Sequence, residues 1–205
     1  MGFSTILDIL SSTIIGGIIL MNLLKLNENV YKTEVTTMMD VNLQVEVVNV
    51  ANILENDFNK IGYCSNPDNI NDLPKVTLAD SSAIKIVYDI ADSAGNFDGV
   101  YDTVYYYVSD TTTLNGTPNP RDRILYRQVN SEIPFMVSNN ITDFKLQFLD
   151  GIYTMLSTPM IPPESGLVTY IKISFRVEDP FAFNQEYNEA YWRRLTVTAK
   201  NLKRN

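Results

Sequence analysis

Histidine is absent from this chain, and cysteine occurs once, as Cys64. The first absence removes the one side chain whose ordinary pKa lies near neutrality, together with the commonest metal ligand. A lone cysteine closes no disulfide within its own chain, which leaves an incidental or half-buried thiol, an intermolecular bridge or a lipid attachment as its readings. Positive charge is also scarce: 16 Lys and Arg stand against 24 Asp and Glu, a net charge of −8. That balance argues against nucleic acid as a partner. Between Ile9 and Leu24 charge is missing altogether.

What fills that gap is apolar. From Phe3 to Leu24, and on to Leu26, the chain holds the roughly 20 residues that a helix needs to cross a bilayer, with Asp8 the one charge before Lys25. A carboxylate in hydrocarbon costs on the order of 2.5–3.5 kcal/mol, so Asp8 is expected to be protonated, near the interface or matched by a partner. The segment lacks the basic start and small-residue cleavage site of a secretory signal, since Lys25, Leu26, Asn27 and Glu28 follow it. Met1-Gly2 does not open a myristoylation motif either, because Ile6 stands where Ser or Thr is wanted. The helix is therefore expected to remain in the working protein.

The pattern then becomes amphipathic. Met39, Leu43, Val47, Val50, Leu54, Phe58 and Ile61 recur at steps of four or three, one stripe of a helix. No proline occurs before Pro67, and Gly62 sits where a helix C-terminus favours glycine, so the spacing predicts one helix from about Ser4 to Ile61. At 1.5 Å per residue such a helix is on the order of 85 Å long. Gly16-Gly17 is the weak place within it, read either as close helix packing or as a functional bend.

From Ala83 onward the period is two. Ile84, Ile86 and Tyr88 form one alternating set, Phe144, Leu146 and Phe148 a second, and Ile171, Ile173, Phe175 and Val177 a third. Thr103 to Val108, Ile124 to Val129 and Leu195 to Ala199 complete the expected strands. This is an antiparallel sheet with one buried face, for which the helical stripe is the natural cover. The fold class expected is α+β, divided as a membrane or filament-core helix at 1–26, its amphipathic continuation at 27–62, and a sheet head at 63–205.

Candidate sites are few. Asp92, Asn96, Asp98 and Asp102, with Gly95 and Gly99 between them, bear a faint likeness to a calcium loop. The register fails, because taking Gly99 as the loop glycine puts Ala94 at the first ligand position, and a solvated hairpin loop is the competing reading. Tyr101, Tyr105, Tyr106, Tyr107 and Tyr126 read as sheet packing before ligand stacking. Asn115-Gly-Thr117 and Asn140-Ile-Thr142 match the short glycosylation sequon. No paired carboxylates, no Ser/His/Asp set and no phosphate loop assemble, so neither catalysis nor a cofactor is expected.

A start of Gly2-Phe3, an apolar helix that turns amphipathic, and a single antiparallel sheet together resemble type IV pilins and pseudopilins over the whole chain. Within that superfamily the chain is most similar to the larger minor subunits of the J and W kinds. Leu54 to Tyr63, Ile141 to Asp150 and the Asn201-Leu202 pair carry that likeness by their order. The resemblance implies a peptidase cut after Gly2 that leaves Phe3 as the first mature residue, often methylated. It also implies an acid at the fifth mature position that meets the amine of a neighbouring subunit. Here the fifth residue is Leu7, and the acid comes one later as Asp8, turned about 100° around the helix. A leader of Met1-Gly2 alone would carry no basic residue, and Lys25 and Lys32 flank the far side of the segment. Gly16-Gly17 lies where many members lose helicity on assembly.

The function so implied is a structural subunit, major or minor pilin or pseudopilin, of a type IV pilus-like or type II secretion-like filament. Its partners would be copies of itself or related pilin-like subunits, first in the bacterial inner membrane and then in a periplasmic or extracellular filament. A single-pass anchored binding module facing the periplasm or the exterior is the alternative.

Overall fold

A computed structural model describes residues 2–71, 73–114, 116–182 and 186–197, with side chains except at Phe3 and 194–197. The expected strand residues Thr198 and Ala199, Asn115 of the first sequon, and Asn201-Leu202 lie outside the described residues. Helix α1 runs Phe3–Asn59 without interruption, glycines included. It ends slightly earlier than the stripe suggests, because the backbone tightens: Lys60 N donates to Asp57 O (3.0 Å) and Ile61 N to Phe58 O (3.4 Å). Gly62 then turns the chain at φ 75°, and its N–H reaches Val87 O at 2.8 Å. Two compact units divide this chain, Met1–Val41 and Asn42–Asn205.

The second unit contains the end of α1 and a seven-stranded sheet. Its strands are β1 (Val76–Ala79), β2 (Ala83–Tyr88), β3 (Asp102–Val108), β4 (Arg123–Val129), β5 (Phe135–Leu149), β6 (Tyr170–Glu178) and β7 (Glu189–Val197). They pair antiparallel in chain order, each hydrogen-bonded to the next. The period-two side chains Ile84, Ile86, Val104, Tyr106, Phe144, Leu146, Phe148, Ile171, Ile173 and Phe175 all point to one buried face. Leu43, Val47, Val50, Leu54 and Phe58 of α1 share one core cluster with them, as does Ile61 just beyond. Each such large side chain contributes about 1.5–3 kcal/mol on burial.

Along β5 the pairing changes hands. Arg123 to Arg127 of β4 pair with Phe135 to Ile141, whereas β6 pairs with β5 from Ile141 onward. The edge thus released is taken by the β1–β2 turn, where Leu146 N donates to Ser81 O at 2.8 Å. The sheet therefore curls, and the β5–β6 connection also closes on the first strand: Ala79 and Met160 exchange both backbone hydrogen bonds, at 3.0 and 2.9 Å. This caps part of an edge that would otherwise invite pairing.

The sequence pattern anticipates six strands, and the sheet has one more. β1 is four residues long, is buried at both ends and contains a register shift, so it shows no alternation to detect. β5 begins nine residues ahead of Phe144, because bulges opposite Arg123 to Tyr126 break its period. The last strand opens at Glu189 rather than Leu195, through a mixed polar and aromatic run whose Trp192 packs on the core.

Candidate functional site

The first unit presents helix and little else. From Ile6 to Leu26 every large apolar side chain is between 49% and 64% exposed, on all sides of the helix. Its hydroxyls do not disturb this surface, since Ser12 and Thr13 turn inward to the carbonyls of Asp8 and Ile9 at 2.6 and 2.8 Å. Asp8 is the one carboxylate in the run and is exposed. At Gly16 and Gly17 an added Cβ would meet nothing within 4 Å, so no intramolecular contact demands either glycine. Gly2 is exposed ahead of the helix, and Phe3 opens it. Met39 is half-buried in this same unit, whereas Leu43, Val47, Val50, Leu54, Phe58 and Ile61 are buried in the second. By length and composition α1 can cross a membrane.

Within the second unit, two polar clamps tie helix to sheet. Asp57 Oδ2 accepts from Tyr106 OH and from Arg127 Nε, each at 2.6 Å, and Arg127 Nη2 donates to Tyr88 OH at 3.2 Å. Burial pushes the Tyr88 and Tyr106 hydroxyls well above their ordinary pKa, and the Asp57 charge adds to the effect. Burial opposes the charge on Arg127, but hydrogen bonding and attraction to Asp57 prevail and raise its pKa. The second clamp joins Glu46 to β5: Ser138 Oγ lies 2.7 Å from one carboxylate oxygen, and Asn140 Nδ2 donates to the other at 2.8 Å. Neither clamp follows from the apolar stripe alone. The available signal was a carboxylate, Asp57, wedged between Leu54 and Phe58 on a face otherwise reserved for apolar residues.

No family profile matches the sequence, and no curated protein matches it by sequence. A solved structure of a type IV-like pilin from Thermus thermophilus is similar in fold, with a TM-score of 0.51 at 15% identity, covering 79% of this chain and 98% of that one. This chain has a type IV pilin-like fold. At that identity the likeness concerns the fold, a long N-terminal helix with an antiparallel sheet, and does not single out the J or W kind.

The other candidate residues lie on the strands and loops of the pilin-like head. Asp92 Oδ1 accepts from the N–H groups of Ala94 and Asn96 (2.8 and 2.9 Å), and Asp98 Oδ1 from Val100 N (2.9 Å). Asp102 accepts from Ile90 N and from Asn130 Nδ2. These carboxylates fasten turns, and no group of three or more potential ligands able to hold a metal ion occurs among the described residues. Tyr106 points into the core, while Tyr105, Tyr107 and Tyr126 stack in a row outside it at 4.6 and 5.2 Å, so their faces cover one another. Asn140 is buried against Glu46, which withdraws its amide from glycosylation. Cys64 is buried, its thiol directed at Gly99 O (3.2 Å).

One charge is poorly provided for. Asp122 is 1% exposed, and neither carboxylate oxygen accepts a hydrogen bond. The neighbouring Thr117 hydroxyl is directed instead at Leu114 O and Asn119 O, at 3.4 Å each. Burial pushes the Asp122 carboxyl up to about 6, against the opposing pull of the neighbouring Thr117 hydroxyl, and the Glu178 carboxylate adds to the rise. Glu178 itself is satisfied by Asn119 Nδ2 (2.9 Å) and Arg121 (2.7 Å).

Proposed function

We propose that this chain is a structural subunit, pilin or pseudopilin, of a type IV pilus-like or type II secretion-like filament, close to the larger minor subunits of the J and W kinds. It waits in the bacterial inner membrane and then joins copies of itself or related subunits in a periplasmic or extracellular filament. The observation that carries this reading is the helix from Ile6 to Leu26, apolar and exposed on every side. Such a surface needs lipid around it or other helices, and a filament core of like helices supplies the second. In this reading residues 1–26 enter the core, 27–62 continue the helix onto the sheet, and 63–205 form the exposed head. Gly2 and Phe3 mark the processing point, Gly16 and Gly17 allow the helix to give way on assembly, and Asp8 answers a neighbour's amine. No reaction, cofactor or nucleic acid enters the role.

Asp8 separates this reading from a permanently anchored binding module, for which a carboxylate in the span has no use. Asp8→Ala should insert at least as well as the parent, since a charge costing about 2.5–3.5 kcal/mol in hydrocarbon is gone. Assembly should fall by about tenfold or more, because a buried amine loses its counter-charge. The measurement is filament recovered by shearing, normalised to protein in the membrane. Filaments at parental yield would refute the pairing role, and a parent chain that stays wholly in membranes would favour the anchored module.

A further inference from the structure

The outward face of β5 to β7 carries Lys145, Lys172 and Arg193, and among the described residues only the first has a carboxylate partner. Lys145 pairs across with Ser174, Gln147 with Lys172, and Ser174 with Arg193, so the three cations occupy adjoining rows of one solvent-facing surface. Lys145 has only Asp143, at 3.5 Å and near water. Among the described residues no carboxylate lies within ion-pair distance of Lys172 or Arg193. Like charges gathered on one sheet face repel unless something opposes them, and here they sit in a chain of net charge −8.

The opposing chemistry is present on the same molecule. The loops after β2 and β4 enclose a cleft of about 260 Å³ whose lining combines Asp92, Asp98, Asp102 and Glu132 with Ile90 and Phe97. No lysine or arginine forms an ion pair with these four carboxylates among the described residues. Backbone N–H groups around Asn96 hold the Asp92 carboxyl below its usual range, so it stays ionised. A lining of both apolar side chains and carboxylates suits a long cationic side chain, which lays its methylenes on the first and its head among the oxygens of the second.

We infer that the β5–β7 face of one copy docks on this acidic cleft of a second copy, seating Arg193 and Lys172 against Asp98 and Glu132. The two surfaces differ, so the contact is heterologous and repeats from copy to copy rather than closing at a dimer. It rests on the proposed filament and supplies a contact between heads that the apolar helix does not.

The test uses the full chain in cells, with two differently tagged copies bearing Gln147→Cys and Ser131→Cys and a short thiol cross-linker applied to intact cells. A cross-link between the two tags is expected. Lys172→Glu with Arg193→Glu on the first copy should cut it by about tenfold, and Asp98→Lys with Glu132→Lys on the second should restore most of it. Restoration also shows that the reversed copies are folded. A cross-link indifferent to charge reversal, or one found only between two Gln147→Cys copies, overturns the docking. Filament yield is read in the same cells: filaments without the cross-link refute the docking alone, and the cross-link without filaments supports the docking while removing the filament reading.

Discussion

Asp122 shows how a single residue sets a pH dependence for the whole head. Its carboxyl is raised from 3.8 to about 6 in the folded chain, chiefly by burial. The sign follows from linkage: the folded state keeps its full share of stability below pH 3.8 and loses it as pH rises through 6. Asp122→Asn should therefore stabilise the head at pH 7 by roughly 1–2 kcal/mol and leave it little changed at pH 4. Urea midpoints of variant and parent across pH 4 to 8 check this, and a difference that does not grow with pH would count against it. Arg127 argues the opposite case. Its partner Asp57 is nearly buried, so Arg127→Met strands a carboxylate and should cost about 3–5 kcal/mol, whereas adding Asp57→Leu should recover much of that loss. A double-mutant cycle that returns no coupling would mean that the pair contributes nothing beyond its separate packing.

At the scale of elements, what the sequence made legible was periodicity, and what it hid was exception. The helix and the strands carrying Ile84, Phe144 and Ile171 were readable because uninterrupted steps of 3.6 or 2 leave only one face to bury. β1 and the opening of β5 were not, since a four-residue strand and a bulged one have no period to show. Asp8 and Gly16-Gly17 stand out in the sequence as anomalies in a monotonous run, and their part in assembly is proposed on that ground. The acidic loop of Asp92, Asp98 and Asp102 stood out in the sequence, but its meeting with Glu132 and the clamp at Asp57 needed tertiary structure, because Asp57 meets Arg127 across 70 positions. Phe58 joins both lessons, being fully buried on the stripe and 5.9 Å from the Tyr106 ring. Phe58→Asp should unfold the head, placing an unpaired charge where about 3–5 kcal/mol of packing was lost, while Asp98→Ala should cost under about 1 kcal/mol. Equal thermal midpoints for the two variants would show that helix and loop had been assigned the wrong weights.

For the whole molecule, the division that matters runs between an apolar stretch of helix exposed on every side and a unit with a buried core of its own. The second unit holds its share of α1 through Leu43 to Phe58 and through both clamps. Those residues all follow Val41, where the compact units part. A chain beginning at Asn42 should therefore be soluble and unfold cooperatively, because it keeps the stripe that covers the sheet and sheds the apolar run. A chain beginning at Glu55 should fail, since it loses Leu43, Val47, Val50, Ala51 and Leu54, and each large side chain withdrawn removes about 1.5–3 kcal/mol against a total stability of about 5–15. Restoring residues from Asn27 should add helix without raising the unfolding midpoint, as most of that stretch is exposed. Circular dichroism and calorimetry on the three lengths decide the matter. A midpoint that climbs between the Asn42 and Asn27 starts would mean that the head draws on the helix further back than its buried core extends, and the division of labour between core helix and head would have to move with it.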